Sequence, residues 1–269
     1  MNSDIRLSEI IIYPIKSLAG ISLLNSQVNP EGLKQDRLMM LVDDNSLFIT
    51  QRKFPQLALL NIELISSGIV VSMSDSSSIE INEESFSEEK TDVRIWKDNC
   101  IAFVANTEIN LWFSRFLNIS VRLIKYDHSY PRAIDQDFSK PDDIVSFADG
   151  FPLLVISQSS LDDLNSQLDM PVSMKNFRPN LVVKGCAAFT EDSWKKIKIG
   201  EIVFDAVKLC GRCIMTTVDP QHGKRSQDGE PYQTLSKYRE IEGNVCFGMN
   251  LIPRDKGMLS TGETIRITD

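Results

Sequence analysis

Cys210-Gly211-Arg212-Cys213 is the cysteine pair in this chain with a spacing that could do chemistry. A thioredoxin-like redox pair needs its first thiol at a helix N-terminus, where the dipole favours the thiolate. The residues that follow, Ile214–Val218, favour a strand instead. A structural zinc site needs two more ligands. Cys186, Cys246, His128 and His222 could supply them in principle, but no second C-x-x-C and no H-x-x-x-H accompanies the pair. Two small apolar residues packed beside a strand is the bland alternative. Arg212 adds a further possibility: a cation beside Cys213 favours the thiolate, the form that ligates a soft metal. Thr216, Thr217 and the polar run Asp219–Lys224 then supply what a pocket rim would need.

Three other segments carry charge at turns. In Tyr13-Pro14-Ile15-Lys16-Ser17, with Gly20 beyond, a strand ends in a lysine and a hydroxyl that suit a phosphate oxygen. Exposed lysines at turns are usually just solvated, so the motif alone decides nothing. Asp36-Arg37 has the same ambiguity, since neighbouring opposite charges more often serve solubility. Asn176-Phe177-Arg178-Pro179-Asn180 sets an arginine between two asparagines, donors for a polyanionic or pterin-like ligand. A turn built from Asn and Pro fits the same letters.

Short strand-like runs dominate the first half: Ile5–Tyr13, Leu38–Val42, Leu59–Ile65, Ile69–Met73 and Val93–Trp96, with turn-forming stretches such as Asp43–Asn45 and Ser74–Ser78 between them. Thr107–Leu117 reads as one amphipathic helix, with Ile109, Trp112, Phe113 and Phe116 at three- and four-residue spacing. Many short strands and one helix predict a small barrel-like β domain over 1–125. Tyr126–Asp143 is polar, holds two prolines and reads as a loop or crossing. Over 126–269 the pattern is mixed. Pro152–Ile156, Leu181–Val183, Ile202–Leu209, Ile214–Val218 and Met258–Ile267 read as strands. A helix capped by Ser157 or Ser159 runs to about Leu168, and Thr234–Arg239 forms a short one. The order is not a β-α-β alternation, so the expected fold class is mostly β (α+β), with helices packed outside rather than a doubly wound parallel sheet.

Composition excludes several classes. With 269 residues there is material for a sizeable core. Net charge is −8 and no basic stripe appears, because Lys195, Lys196 and Lys198 lie beside Glu191 and Asp192. A nucleic-acid polymer is therefore not an expected partner. No apolar run reaches the ~18 residues a membrane helix needs. The start MNSDIRLSEI is not a signal peptide, so a cytoplasmic address without membrane is expected. Five thinly spread cysteines argue against a disulfide framework.

Together the segments resemble the MOSC superfamily, specifically proteins with an N-terminal MOSC β-barrel domain followed by a MOSC domain. YPIKSLAG, GLKQDRLMML with TQRKFPQL, SFADGFPLLVISQSSLDDLN, NFRPNLVV with EDSW, CGRCIMTTVDP and the FGMN tail occur in family order over nearly the whole chain. Within that superfamily the chain resembles the bacterial YcbX-type proteins and the mitochondrial amidoxime reducing components, molybdenum-cofactor enzymes that reduce N-hydroxylated compounds.

The resemblance implies a MOSC domain with a β-barrel core and peripheral helices, a molybdenum-molybdopterin cofactor, and roles for particular residues. Cys213 matches the cysteine that coordinates molybdenum. Lys16, Ser17, Arg37, Arg178, Asn180 and Asn250 match positions that hold the pterin and its phosphate. Asp149, in SFADG, is implied near the metal as a proton donor, and Cys210 as packing. The family's [2Fe–2S] extension has no counterpart in these motifs, so a separate electron-transfer protein is the implied partner, with a small N-hydroxylated molecule as substrate. Two other functions use the same cysteine: a sulfur carrier holding a persulfide for metal–sulfur cofactor assembly, and a cofactor-binding protein without turnover. The spread of cations favours a bulky anionic cofactor, since a sulfane sulfur needs no such cradle.

Overall fold

The computed structural model describes residues 4–74 and 76–268. Residues 1–3 and 269, at the ends of the two expected domains, and Asp75 in the expected Ser74–Ser78 turn lie outside the described residues. The protein is mostly β, as its patterning implies. One nine-stranded sheet runs in the order Ile21–Leu23, Arg6–Ile12, Leu181–Lys184, Leu153–Ser157, Asn244–Pro253, Ile202–Gly211, Lys196–Ile199 and Ile265–Ile267, with Glu240–Ile241 paired to the long Asn244–Pro253 strand. Leu153–Ser157 and Leu181–Lys184 are parallel and the neighbouring pairs antiparallel.

The N-terminal strands thus sit in the sheet of the second half. Ile10 pairs with Leu181 in register, and Gly257–Ser260 pairs with Asn25–Asn29. The rest of the first half builds a four-stranded antiparallel sheet (Met39–Val42, Arg122–Tyr126, Asp98–Ala105, Phe86–Ile95) and a three-stranded meander (Asn61–Ile65, Gly68–Ser72, Ser78–Asn82).

Alternation explains the large sheet's burial. Leu7, Ile10, Ile12, Leu181, Val183 and Leu251 face one core, while Ile11, Tyr13, Val182 and Phe247 face the other, under the helices. Helix α1 (Thr107–Leu117) spans its predicted range, held by the Asn106 side chain accepting from the Ile109 amide and ended by left-handed Asn118. It buries Ile109, Phe113 and Leu117 against the N-terminal core. Helix α2 (Gln158–Asn165) is capped by Ser157 and stops short of Leu168. Helix α3 (Tyr232–Tyr238) starts two residues earlier than predicted, the Glu230 carboxylate accepting from the Thr234 amide and hydroxyl.

Three expectations need correction. Met258–Ile267 is two strands, Gly257–Ser260 and Ile265–Ile267, in different sheets. The Tyr126–Asp143 loop contains the short strand Arg132–Ala133, paired with Ile144–Val145. Ile214–Val218 is not a strand: Ile214–Thr217 is a 3-10 turn. There the Thr216 hydroxyl donates to the Cys213 carbonyl (3.0 Å) and Thr217 to the Ile214 carbonyl (2.7 Å). Those local bonds outweigh the strand preference of β-branched residues.

No helix among the described residues is long and apolar enough to cross a membrane.

Candidate functional site

Sheet register decides where the site lies. Ile10 opposite Leu181, Val155 opposite Leu181, Leu154 opposite Asn250 and Asn250 opposite Lys208 bring the connections after Ile12, before Leu153 and before Leu181 to one region. Lys16, Ser17, Arg37, Asp149, Arg178, Asn180 and Asn250 all line a single cleft there. Cys213 lines an adjoining chamber of about 650 Å³, which shares Asp149, Phe177, Cys210, Arg212 and Asn250 with the cleft. Its thiol is exposed and caps the 3-10 turn, accepting from the Met215 amide at 3.5 Å. The candidate residues from six separate motifs are therefore brought together.

The cleft floor is cationic in a protein of net charge −8. Lys16 is 6% exposed, and its ammonium donates to the Phe147 carbonyl at 2.8 Å and to Asp149 Oδ1 at 2.5 Å. Burial lowers the Lys16 pKa to about 8, against the opposing pull of Asp149. Partial desolvation would raise the Asp149 pKa, but Lys16 outweighs it and holds the carboxyl well below the usual range. Asp149 is thus a carboxylate, and the proton that titrates near neutrality sits on Lys16.

Tyr13 organises the next pair. Its buried ring lies between two guanidiniums, Arg37 at 4.4 Å and Arg178 at 4.1 Å, and its hydroxyl donates to the Pro179 carbonyl at 3.0 Å. Burial pushes the Tyr13 pKa up to about 12. Arg37 donates to Asp36 (2.6 Å) and to the Asn180 side-chain oxygen (3.1 Å). Burial opposes the Arg37 charge, but the Asp36 carboxylate prevails and raises its pKa. Arg178 donates to the Leu18 carbonyl at 2.7 Å, and burial lowers its pKa to about 10. Asn180 is occupied in stitching strands together, accepting also from the Leu154 amide and donating to the Ile11 carbonyl.

Arg212 does not turn to Cys213. Its guanidinium donates to the Cys210 sulfur at 3.2 Å and to the Phe177 carbonyl at 2.7 Å. Cys210 lines both cleft and chamber, so it borders the site rather than only packing beside it.

Three further residues join the site: Arg52, which stands in the TQRKFPQL stretch without a role assigned from sequence, and Trp96 and Arg132, which belong to no motif. Arg52 lines the cleft and stacks on Trp96 at 4.4 Å. Trp96 reaches Asp149 with its indole N–H at 3.4 Å. Arg132, buried inside the predicted loop, donates to Asp98 and to the carbonyls of Ser146, Ala148 and Asp149, so it fixes the turn that presents Asp149. Its location in a polar, proline-bearing stretch hid it.

Two observations mark the cleft as built for an anion. Arg52 Nε, Arg178 Nη2 and Arg212 Nε are buried without a hydrogen-bond partner among the described residues. Each unpaired buried donor costs roughly 1–3 kcal/mol unless a ligand accepts from it. In addition, Ser17 (φ 71°), Arg37 (φ 51°), Arg178 (φ 54°) and Trp96 (φ 55°) all adopt the left-handed backbone region. Such conformations cost of order 1–3 kcal/mol each and concentrate where function holds them. An acceptor-rich, polyanionic, planar ligand meets both conditions. No group of three His, Cys, Asp or Glu side chains that could hold a metal ion occurs among the described residues. A metal joined to Cys213 would need its remaining ligands from an organic scaffold.

Comparison with known proteins agrees. Residues 4–120 match the MOSC N-terminal beta barrel domain and residues 142–266 the MOSC domain. The chain is 33% identical to mitochondrial amidoxime reducing component 2 of Bos taurus, over 96% of this chain and 82% of that protein. It is 28% identical to mitochondrial amidoxime-reducing component 1 of Homo sapiens, with the same coverage. A molybdenum cofactor sulfurase of Oryza sativa subsp. japonica is 30% identical over 98% of this chain but 34% of its own length. Fold, cleft and relatives converge: the chain belongs to the MOSC superfamily, in the branch where an N-terminal MOSC β-barrel domain precedes the MOSC domain and which includes the amidoxime reducing components.

Proposed function

We propose that this protein binds a molybdenum–molybdopterin cofactor and uses it to reduce N-hydroxylated small molecules, in the cytoplasm, with electrons from a separate electron-transfer protein. The reading is supported above all by the three partnerless guanidinium nitrogens in the cleft. Arg52, Arg178 and Arg212 would donate to the anionic and carbonyl oxygens of the pterin and its phosphate. Ser17 adds a hydroxyl, and Asn250 borders the junction with the chamber. Arg37 and Asn180 hold one another and the strand ends in place. The Cys213 thiolate is the metal ligand. When bound, the cofactor supplies two-electron reduction.

Cleavage of an N–O bond releases water and takes up two protons. Lys16 is the proton store: its ammonium, with a pKa of about 8, meets the requirement that a general acid titrate near the working pH. Asp149 orients that ammonium and carries the hydrogen-bond path toward the chamber, in place of the donor role the resemblance implied. A sulfur carrier would need the exposed cysteine but not the cation set. Metal analysis of protein from a cofactor-competent host tests the reading: about one molybdenum per chain is expected, lost in Cys213→Ala because the open site lacks its thiolate. Full molybdenum content in that variant would overturn the ligand assignment.

A further inference from the structure

Beyond the cleft lies a third space that the cofactor reading leaves without a role. A chamber of about 650 Å³ is lined by Trp96, Lys97, Phe138, Phe151 and Lys208. It meets both the cationic cleft and the Cys213 chamber at Asp149-Gly150-Phe151. At that junction a Cβ added to Gly150 would meet no atom within 4 Å, so the floor is flat and open. Any molecule approaching the junction through this chamber passes between aromatic walls.

The walls have a definite character. Phe138 and Phe151 meet edge to face with centroids 6.1 Å apart, and neither is fully buried. Trp96, 42% exposed, lines the same chamber and is held by Arg52 and by Phe48 at 4.9 Å. The Lys208 ammonium sits 4.1 Å from the Phe138 ring and has no carboxylate within ion-pairing distance among the described residues. Lys97, by contrast, is 3.6 Å from Asp135. The chamber therefore offers ring faces and edges along its length and one uncompensated cation.

We infer that this chamber is the substrate subsite, and that it selects planar aromatic N-hydroxylated compounds bearing an anionic group, the ring between Phe138 and Trp96 and the anion on Lys208. The inference rests on the reductase reading for the N-hydroxyl group and on the chamber itself for the rest. Ring contacts and a charge-assisted contact of this kind are each worth about tenfold in affinity.

The test uses the molybdenum-loaded protein and amidines as products of the corresponding amidoximes. By titration calorimetry, 4-carboxybenzamidine is expected to bind about tenfold more tightly than benzamidine, and acetamidine more weakly than both. Lys208→Gln should erase the first difference and leave benzamidine unchanged. Phe138→Ala should weaken both aromatic ligands about tenfold, with molybdenum content intact. In turnover, 4-carboxybenzamidoxime should show the lower KM and an unchanged kcat relative to benzamidoxime. Equal binding of carboxylated and plain ligands, or binding untouched by both variants, would overturn the subsite. Loss of amidoxime reduction with the binding pattern preserved would instead overturn the reductase reading and leave the subsite standing.

Discussion

Lys16 and Asp149, 133 positions apart in the chain, meet with the ammonium 2.5 Å from the carboxylate. Lys16 comes from the turn after the first strand, Asp149 from the connection into Leu153–Ser157, and the Phe147 carbonyl also accepts from the Lys16 ammonium at 2.8 Å. The pair marks where the cation cradle ends and the chambers begin.

Its titration gives the first prediction. A bound anion raises the Lys16 pKa above its resting value of about 8, so above that pH binding takes up a proton. Affinity of the cofactor-free protein for sulfate, which does not itself titrate here, should be level below about pH 7.5 and fall by up to about tenfold per pH unit above 8. Lys16→Arg should keep the profile level to higher pH. Calorimetry across that range checks it, and a level profile in the unmodified protein would remove Lys16 from the cradle.

Tyr13 offers its ring to two guanidiniums whose charges repel one another. Tyr13→Phe keeps the ring and loses the hydroxyl bond to Pro179, costing about 1 kcal/mol. Tyr13→Leu loses both stacks and should cost roughly 2–4 kcal/mol, with a marked fall in molybdenum content. Denaturant unfolding of the two variants compares them. Equal stability would make the stacks incidental.

Arg132 is buried and joins Asp98 to three carbonyls of the segment leading to Asp149. Arg132→Ala strands all of those partners, and a loss of roughly 3–5 kcal/mol is expected. Because the same arginine shapes the Asp149 turn, the variant should also lose the raised acidity of Asp149, read by carboxylate NMR.

Ser17 holds a left-handed backbone, its carbonyl fixed by the Gln51 side chain at 2.7 Å. Ser17→Gly removes the side-chain strain and should raise stability by about 0.5–1 kcal/mol while lowering cofactor occupancy. Thermal unfolding with parallel metal analysis would show the two moving in opposite directions. A drop in both would mean that the hydroxyl serves the fold.

Much of the site was legible because its residues occur in short motifs whose types already name their chemistry: a thiol beside an arginine, lysine and serine at a strand end, arginine between asparagines. What the letters could not show was partnership. Arg212 is adjacent to Cys213 in sequence, yet its side chain serves Cys210 and Phe177. Ile214–Thr217 has strand-forming residues, but threonine hydroxyls closing onto carbonyls three residues back compete locally with the strand, and strand propensity does not encode that competition. Trp96 and Arg132 act through contacts made between 14 and 53 positions away, so no local spacing announces them. The same holds for the pairing of Arg6–Ile12 with Leu181–Lys184: periodicity predicts each strand and is silent about its neighbour.

That pairing has a consequence for biosynthesis. The earliest strand has a near partner in Ile21–Leu23 but finds its second, Leu181–Lys184, some 170 positions later, and Asn25–Asn29 likewise awaits Gly257–Ser260 on its other edge. A nascent chain still on the ribosome therefore presents Lys16 and Arg37 long before Asp149, Arg178 and Asn180 exist to close the cleft around them. On the proposed function, capture of the cofactor would follow completed synthesis, because the cleft exists only once both halves of the sheet have joined.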